Sequence, residues 1–194
     1  MSPVAALFCM PEPGHFRLVL PLIAGLSRRG FIVHVFTDRL FAKEVERSGG
    51  LFVDLFTSRS IDDVDSESLP VPCRFVTFAG RHARDAAQAI DRIRPDVVIC
   101  ETFAVVGRIA ARLLDLPCVN VSPGHDLNPG RLLRGLRTDP RVRVSPSCWE
   151  AVEQLMDLGL EDSSPFSYVT GLSRSLNICC EPPEFLTADE RAVF

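Results

Sequence analysis

The tightest constraint on the fold is the spacing of apolar runs at the front of the chain. "VAALFC" (4–9) is a continuous apolar run bounded by a turn-rich stretch, the mark of a strand buried on both faces of a parallel sheet. "RLVLPLIAGLSRRG" (17–30) has helical spacing and a glycine stop, which puts Pro21 in or near the first turn, where a missing N–H costs little. "FIVHVFT" (31–37) reads as a second strand, "DRLFAKEVERSG" (38–49) as a helix opened by Asp38 as N-cap, and "LFVDLF" (51–56) as a third strand. Strands this close in sequence yet separated by helices must pair in parallel through crossovers.

The alternation continues. Residues 57–72 are acidic, Ser-rich and broken by two prolines, the composition of a long loop. Then come a long amphipathic helix (74–94), a strand (95–100), a helix (104–115) and a strand (116–122). The expected fold is therefore α/β, a doubly wound, mostly parallel Rossmann-like sheet. After Ser122 the pattern loosens into a stretch rich in Pro, Gly and Arg with one short helix. An amphipathic helix (148–160) and a last strand (175–180) follow. The final stretch, "EPPEFLTADERAVF", reads as a tail without a capped element.

Charge and cysteine content narrow the partners. With 21 Lys and Arg against 25 Asp and Glu the net charge is −4, with no basic footprint for nucleic acid or an anionic membrane. No run approaches the roughly 20 apolar residues of a membrane span, and the N-terminus lacks the basic start of a signal peptide. The seven cysteines are odd in number and never spaced C-x-x-C, and several sit inside apolar runs. They imply a reduced, cytoplasmic setting with no disulfide framework and no metal site.

In an open α/β sheet, ligands bind outside the carboxyl ends of the strands. His15 follows the first strand and Glu101 the fourth. The first turn reads M-P-E-P-G-H-F rather than G-x-G-x-x-G, so a dinucleotide pyrophosphate has no glycine cradle, and no Walker A sequence is present. A neutral imidazole can take a proton from a hydroxyl if its other nitrogen donates to a carboxylate, a role open to His15 with Glu101. Spacing alone favours a second reading, in which His15 contacts backbone at a helix start and Glu101 is a solvated loop acid. His34 alternates within a strand and reads as structural, while His82 and His125 have no metal-ligand spacing.

"GHFRLVLPLIAGLSRRGFIVHVFT" resembles the opening of family 1 glycosyltransferases, in particular the bacterial macrolide and deoxysugar branch, where a Gly-His follows the first strand. Of the two prolines common in that helix, Pro21 matches one and Leu18 replaces the other; Phe31 stands where a second histidine is usual. "DRLFAKEVERSGGLFVDL", "RPDVVICETFAVVGRIAARLLDLPCVNVSPG" and "LNICCEPPEFLTADERAVF" are similar to the family's later units in the same order.

The resemblance implies a GT-B architecture, of which residues 1–180 would be the acceptor-binding Rossmann-like domain and 181–194 the start of the interdomain linker. The C-terminal nucleotide-sugar domain would be supplied in cis or in trans. Its glycine- and histidine-rich donor motif occurs nowhere in the chain. His15 would be the catalytic base and Glu101 the acid that orients it. The family's usual residue there is Asp, and one extra methylene can move a carboxylate by roughly 1 Å. Gly14, Phe16, Phe75, Phe78, His82, Phe103, Ser122 and His125, with Trp149 nearby, would line a pocket for an apolar small-molecule acceptor; Phe75 and Phe78, three apart on a helix, also read as core. A nucleoside diphosphate sugar would be the co-substrate, with no other cofactor, and transfer would invert the anomeric centre. The chain alone would be inactive. The same motifs leave room for a non-catalytic or split-subunit activator and for a sugar-nucleotide epimerase.

Overall fold

A computed structural model describes residues 2–56, 59–124, 128–169 and 172–191. Its elements run in order β1 (Val4–Phe8), α1 (Pro13–Arg28), β2 (Ile32–Thr37), α2 (Ala42–Arg47), β3 (Leu51–Asp54), α3 (Ile61–Val64), α4 (Pro72–Ile93), β4 (Val97–Glu101), α5 (Val105–Leu113), β5 (Cys118–Ser122), α6 (Pro129–Thr138), α7 (Pro146–Asp157), β6 (Leu176–Cys179) and α8 (Ala188–Arg191). The six strands form one sheet in the order β3-β2-β1-β4-β5-β6, every neighbouring pair parallel. This is the doubly wound α/β arrangement that the alternation implies. The chain works outward from β1 through β2 to β3, then crosses back to start again at β4.

Two apolar layers follow from strand alternation. Ala6 and Phe8 of β1 face one side with Phe36, Val98 and Cys100, under α4, α5 and α7. Ala5, Leu7 and Cys9 face the other with Val33, Val35 and Ile99, under Phe16, Val19 and Ile23 of α1. Gly107 marks where α5 comes closest to the sheet, since a Cβ there would overlap the Phe8 ring. Gly30, at φ 84, ends α1 by turning the chain so that its N–H reaches Ser27 O at 2.9 Å and that of Phe31 reaches Leu26 O at 3.2 Å.

Three local expectations are corrected. First, α1 begins at Pro13 rather than at residue 17, because Pro13 suits the first helical position and Phe16 N–H closes the first turn on Glu12 O at 2.9 Å. Pro21 therefore lies inside the helix, on its exposed side. Second, the 57–72 stretch is not wholly loop: Ser60 Oγ accepts from Asp62 N–H at 3.2 Å and starts α3. Third, the tail does contain a capped element. Thr187 and Glu190 form a capping box, Glu190 Oε2 accepting from Thr187 N–H at 2.9 Å and Thr187 Oγ1 from Glu190 N–H at 3.3 Å. Asp38 is a cap as expected, its Oδ1 accepting from Leu40 N–H at 2.8 Å at the head of a short 3-10 turn before α2.

Buried polar side chains tie the segment before α4 to the segment before α7. Leu69 and Arg143 form an antiparallel bridge. Beside it Ser68 Oγ accepts from Ser145 N–H at 3.0 Å, and the two hydroxyls lie 3.1 Å apart. Asp65 anchors the same loop by accepting from Thr77 Oγ1 at 2.8 Å.

Candidate active site

The strand order reverses between β1 and β4, so the connections leaving these two strands diverge and open a crevice at their carboxyl ends. His15 is the third residue of α1, directly above β1, and Glu101 is the last residue of β4. The two side chains meet there, with His15 Nδ1 2.9 Å from Glu101 Oε1. Glu101 is almost wholly buried, 1% exposed, while the imidazole keeps about a quarter of its surface, 26%. Nδ1 itself is buried, so the exposed quarter belongs to the rest of the side chain.

The contact is close but not well aligned: among the described residues, neither the buried Nδ1 nor the buried Glu101 Oε2 has a properly directed hydrogen-bond partner. Such looseness is common in sites whose hydrogen bonds tighten only around substrate. Glu101 Oε1 also accepts from Phe103 N–H at 3.2 Å. The glutamate thus reaches His15 and bends back to the turn that follows its own strand. The close contact with Glu101 raises the His15 pKa above the ordinary imidazole value, burial opposes it, and the charges of Glu101 and Glu12 add to the rise. Cys9, at the end of β1, is held as a neutral thiol by burial and by the Glu101 charge.

Phe103 stands beside the pair, its ring centroid 5.2 Å from the imidazole at an interplanar angle of 59°. It touches Phe75 of α4 at 5.8 Å and Tyr168 at 6.1 Å. These rings make an aromatic wall next to His15. Tyr168 was not singled out in the sequence; it lies in an aperiodic stretch after α7 that carries no motif to mark it.

The other expected site residues separate. Gly14 is exposed beside His15, with open space where a Cβ would stand. Phe16 is 2% exposed and stacks on Phe41 at 4.2 Å, inside the apolar layer under α1. Phe78 is likewise 2% exposed, packed on Phe56 at 5.0 Å and on His82 at 4.6 Å in the layer under α4. His82 lies 4.0 Å from Asp85, and burial with the nearby Arg59 charge lowers its pKa. Ser122 is buried at the end of β5, its Oγ accepting from Gly124 N–H at 3.4 Å. Trp149 is half exposed on α7. His125 lies outside the described residues. A separate cleft of about 490 Å³ is walled by Ser66, Leu69, Arg74, Arg143 and Ser145 and holds none of the expected site residues. Among the described residues no group of three His, Cys, Asp or Glu is placed to hold a metal ion, and no helix is long and apolar enough to cross a membrane.

Comparison with known proteins matches this geometry to one fold. The chain aligns with CalG4, the calicheamicin glycosyltransferase, at 25% identity and a TM-score of 0.75, covering 98% of this chain and 50% of CalG4. It has the fold of one half of a GT-B antibiotic glycosyltransferase. The glycotransferase of kitacinnamycin aligns at 21% identity and a TM-score of 0.68, again over 98% of this chain and 49% of its own. In sequence, the chain is 21% identical over 157 residues to the NDP-glycosyltransferase YjiC of Bacillus licheniformis, covering 76% of this chain and 39% of that protein. No protein-family model matches the chain. The chain thus spans about half of the length of the solved relatives it matches and 39% of the curated one.

Proposed function

We propose that this chain is the acceptor-binding N-terminal domain, residues 1–180, of an inverting glycosyltransferase, with 181–194 leading to a nucleotide-sugar domain in cis or in trans. The observation that carries the reading is the 2.9 Å contact of His15 with Glu101 at the switch point of the sheet. His15 Nε2 takes the proton of an acceptor hydroxyl. The freed oxygen lone pair attacks the anomeric carbon of a nucleoside diphosphate sugar from the side opposite the leaving group. The bond from that carbon to the diphosphate oxygen breaks, and the nucleoside diphosphate departs with the electron pair. The proton stays on the imidazole, and the buried Glu101 carboxylate stabilises the cation it makes.

Phe75, Phe103 and Tyr168 supply an apolar wall within reach of the base, which suits a polycyclic or macrocyclic natural-product acceptor. The donor, a hexosyl or deoxyhexosyl nucleotide, is bound mainly by the second domain, and the reaction needs no other cofactor. The setting is cytoplasmic, where nucleotide sugars are the available donors.

The test pairs this chain with a nucleotide-sugar domain, fused or mixed, and assays transfer from thymidine and uridine diphosphate sugars to hydroxylated polycyclic acceptors. His15→Ala is expected to cut transfer by about 10²–10⁴-fold while leaving acceptor binding in place; unchanged transfer overturns the base role. Activity should rise with pH as His15 loses its proton, and Glu101→Gln should move that limb to lower pH, since it removes the charge that holds the proton on. Sugar turnover by the 194-residue chain alone would overturn the need for a second domain. Release of free sugar without acceptor would mark an epimerase, and binding with no transfer in any combination a non-catalytic partner.

A further inference from the structure

We propose that Phe103 is a positioning residue for His15, holding the imidazole against Glu101 through a closed three-way contact that involves both its amide and its ring. The proposal rests on reading His15 as the base. One oxygen joins all three residues: Glu101 Oε1 accepts from Phe103 N–H at 3.2 Å and lies 2.9 Å from His15 Nδ1. The triangle closes on the far side, where the Phe103 ring sits 5.2 Å from the imidazole.

The reason a third member is needed lies in the looseness of the pair. The outer torsion of histidine is broad and roughly two-fold, and an unaligned Nδ1 contact does not fix the ring plane by itself. A tilted aromatic wall removes that freedom, because rotation of the imidazole away from Glu101 drives its edge into the Phe103 face. The wall cannot recede. Phe103 is backed by Phe75 at 5.8 Å and Tyr168 at 6.1 Å, and its turn is closed by Ala104 N–H on Glu101 O and by Val105 N–H on Phe103 O, both at 2.8 Å. A glutamate suits this arrangement because its longer arm lets one carboxylate oxygen fold back to an amide two residues on while still facing α1.

Positioning and mere shielding have opposite signatures in the titration of His15. The groups acting on the imidazole are Glu101 from β4 and Glu12 ahead of α1, which raise its pKa, and burial, which lowers it; Cys9, just after β1, stays neutral. If Phe103 holds the pair together, removing its ring frees the imidazole from Glu101 and the pKa falls toward the ordinary value of about 6.5. If it only excludes water, removing it relieves burial and the pKa rises further.

The experiment is an NMR titration of the imidazole protons in the 194-residue chain, with the His15 signal assigned by its loss in His15→Ala. Phe103→Ala is expected to lower the His15 pKa and Phe103→Tyr to leave it at the native value. A rise or no change in Phe103→Ala overturns the proposal. If that variant does not fold, Phe103→Leu carries the same test, a smaller fall being expected and a rise or no change again overturning it. Glu101→Gln separates the two layers of inference. If it leaves the His15 pKa unchanged, the acid–base pair itself fails; if it lowers the pKa while Phe103→Ala does not, only the positioning role fails.

Discussion

Asp65 and Glu101 are both carboxylates withdrawn from solvent, 4% and 1% exposed, yet their oxygens are used differently. Both oxygens of Asp65 are occupied by fixed donors: Oδ1 accepts from Glu67 N–H at 3.1 Å and Ser68 N–H at 3.0 Å, and Oδ2 from the Thr77 hydroxyl at 2.8 Å. Glu101 divides Oε1 between the Phe103 amide and a titratable imidazole and leaves Oε2 buried with no partner among the described residues. Buried polar groups that only hold a fold together are normally saturated. A carboxylate that keeps an unused oxygen and a titratable imidazole beside it fits the orienting role proposed for Glu101. The first corner welds two loops together; the second is left able to change its protonation.

The contrast is most easily broken from the Asp65 side. Asp65→Ala removes the acceptor of the buried Ser68 amide, of the part-buried Glu67 amide and of the Thr77 hydroxyl, which keeps only Cys73 O at 3.4 Å, an expected loss of about 3 kcal/mol in unfolding free energy. For a domain of this size that is a melting temperature lower by about 6–12 °C, readable by thermal denaturation. Ser68→Ala is milder, because Ser145 retains its own cap bond to Cys148 N–H at 3.1 Å. The expected loss is about 1–2 kcal/mol, from the single Ser145 amide left without its acceptor. Glu101→Gln should change stability by no more than about 1 kcal/mol, since the amide oxygen still serves Phe103 and the lost attraction to His15 is offset by removing a buried charge. A loss from Glu101→Gln as large as that from Asp65→Ala would erase the distinction between the two corners.

The two corners were also unequally legible in the sequence. His15 and Glu101 could be proposed together because strand ends can be located from apolar runs, and β1 and β4 must be neighbours wherever a doubly wound sheet reverses. That they touch depended on side-chain lengths no periodicity encodes. The Asp65, Ser68 and Ser145 network left no trace, because Ser68 and Ser145 are 77 residues apart and each looks like an ordinary loop serine. Pro21 was misplaced because the Pro-rich stretch before His15 hid the true helix start at Pro13. The Thr187 to Glu190 cap was readable as T-x-x-E. Phe78 read both ways and Phe16 as pocket lining for one physical reason: an aromatic on a helix satisfies a core and a ligand wall equally well, and only the packing of Phe41 on Phe16 and of Phe56 on Phe78 separates the two.

Linkage to pH is the finest probe of the comparison, because the two corners respond at opposite ends of the scale. Burial alone would raise the Asp65 pKa, but the bonds from Ser68, Thr77 and Glu67 outweigh it and hold the carboxyl below its ordinary value of 3.8. Its contribution to stability is therefore complete above 3.8 and fades as the pH falls through the lowered native value. His15 has the reverse sign. Its native pKa stands above 6.5, so the stability it gains from Glu101 is complete below 6.5 and fades as the pH rises through the raised value. Melting temperature measured from pH 2 to pH 9 should bend at both edges in the native chain. Glu101→Gln should flatten the upper bend and leave the lower one, whereas Thr77→Val, which removes one donor to Asp65, should shift the lower bend to higher pH and leave the upper one. If either substitution moved both bends, the corners would be coupled through α4 and the sheet, and the acid–base pair could not be treated as an independent element resting on a separately stabilised fold.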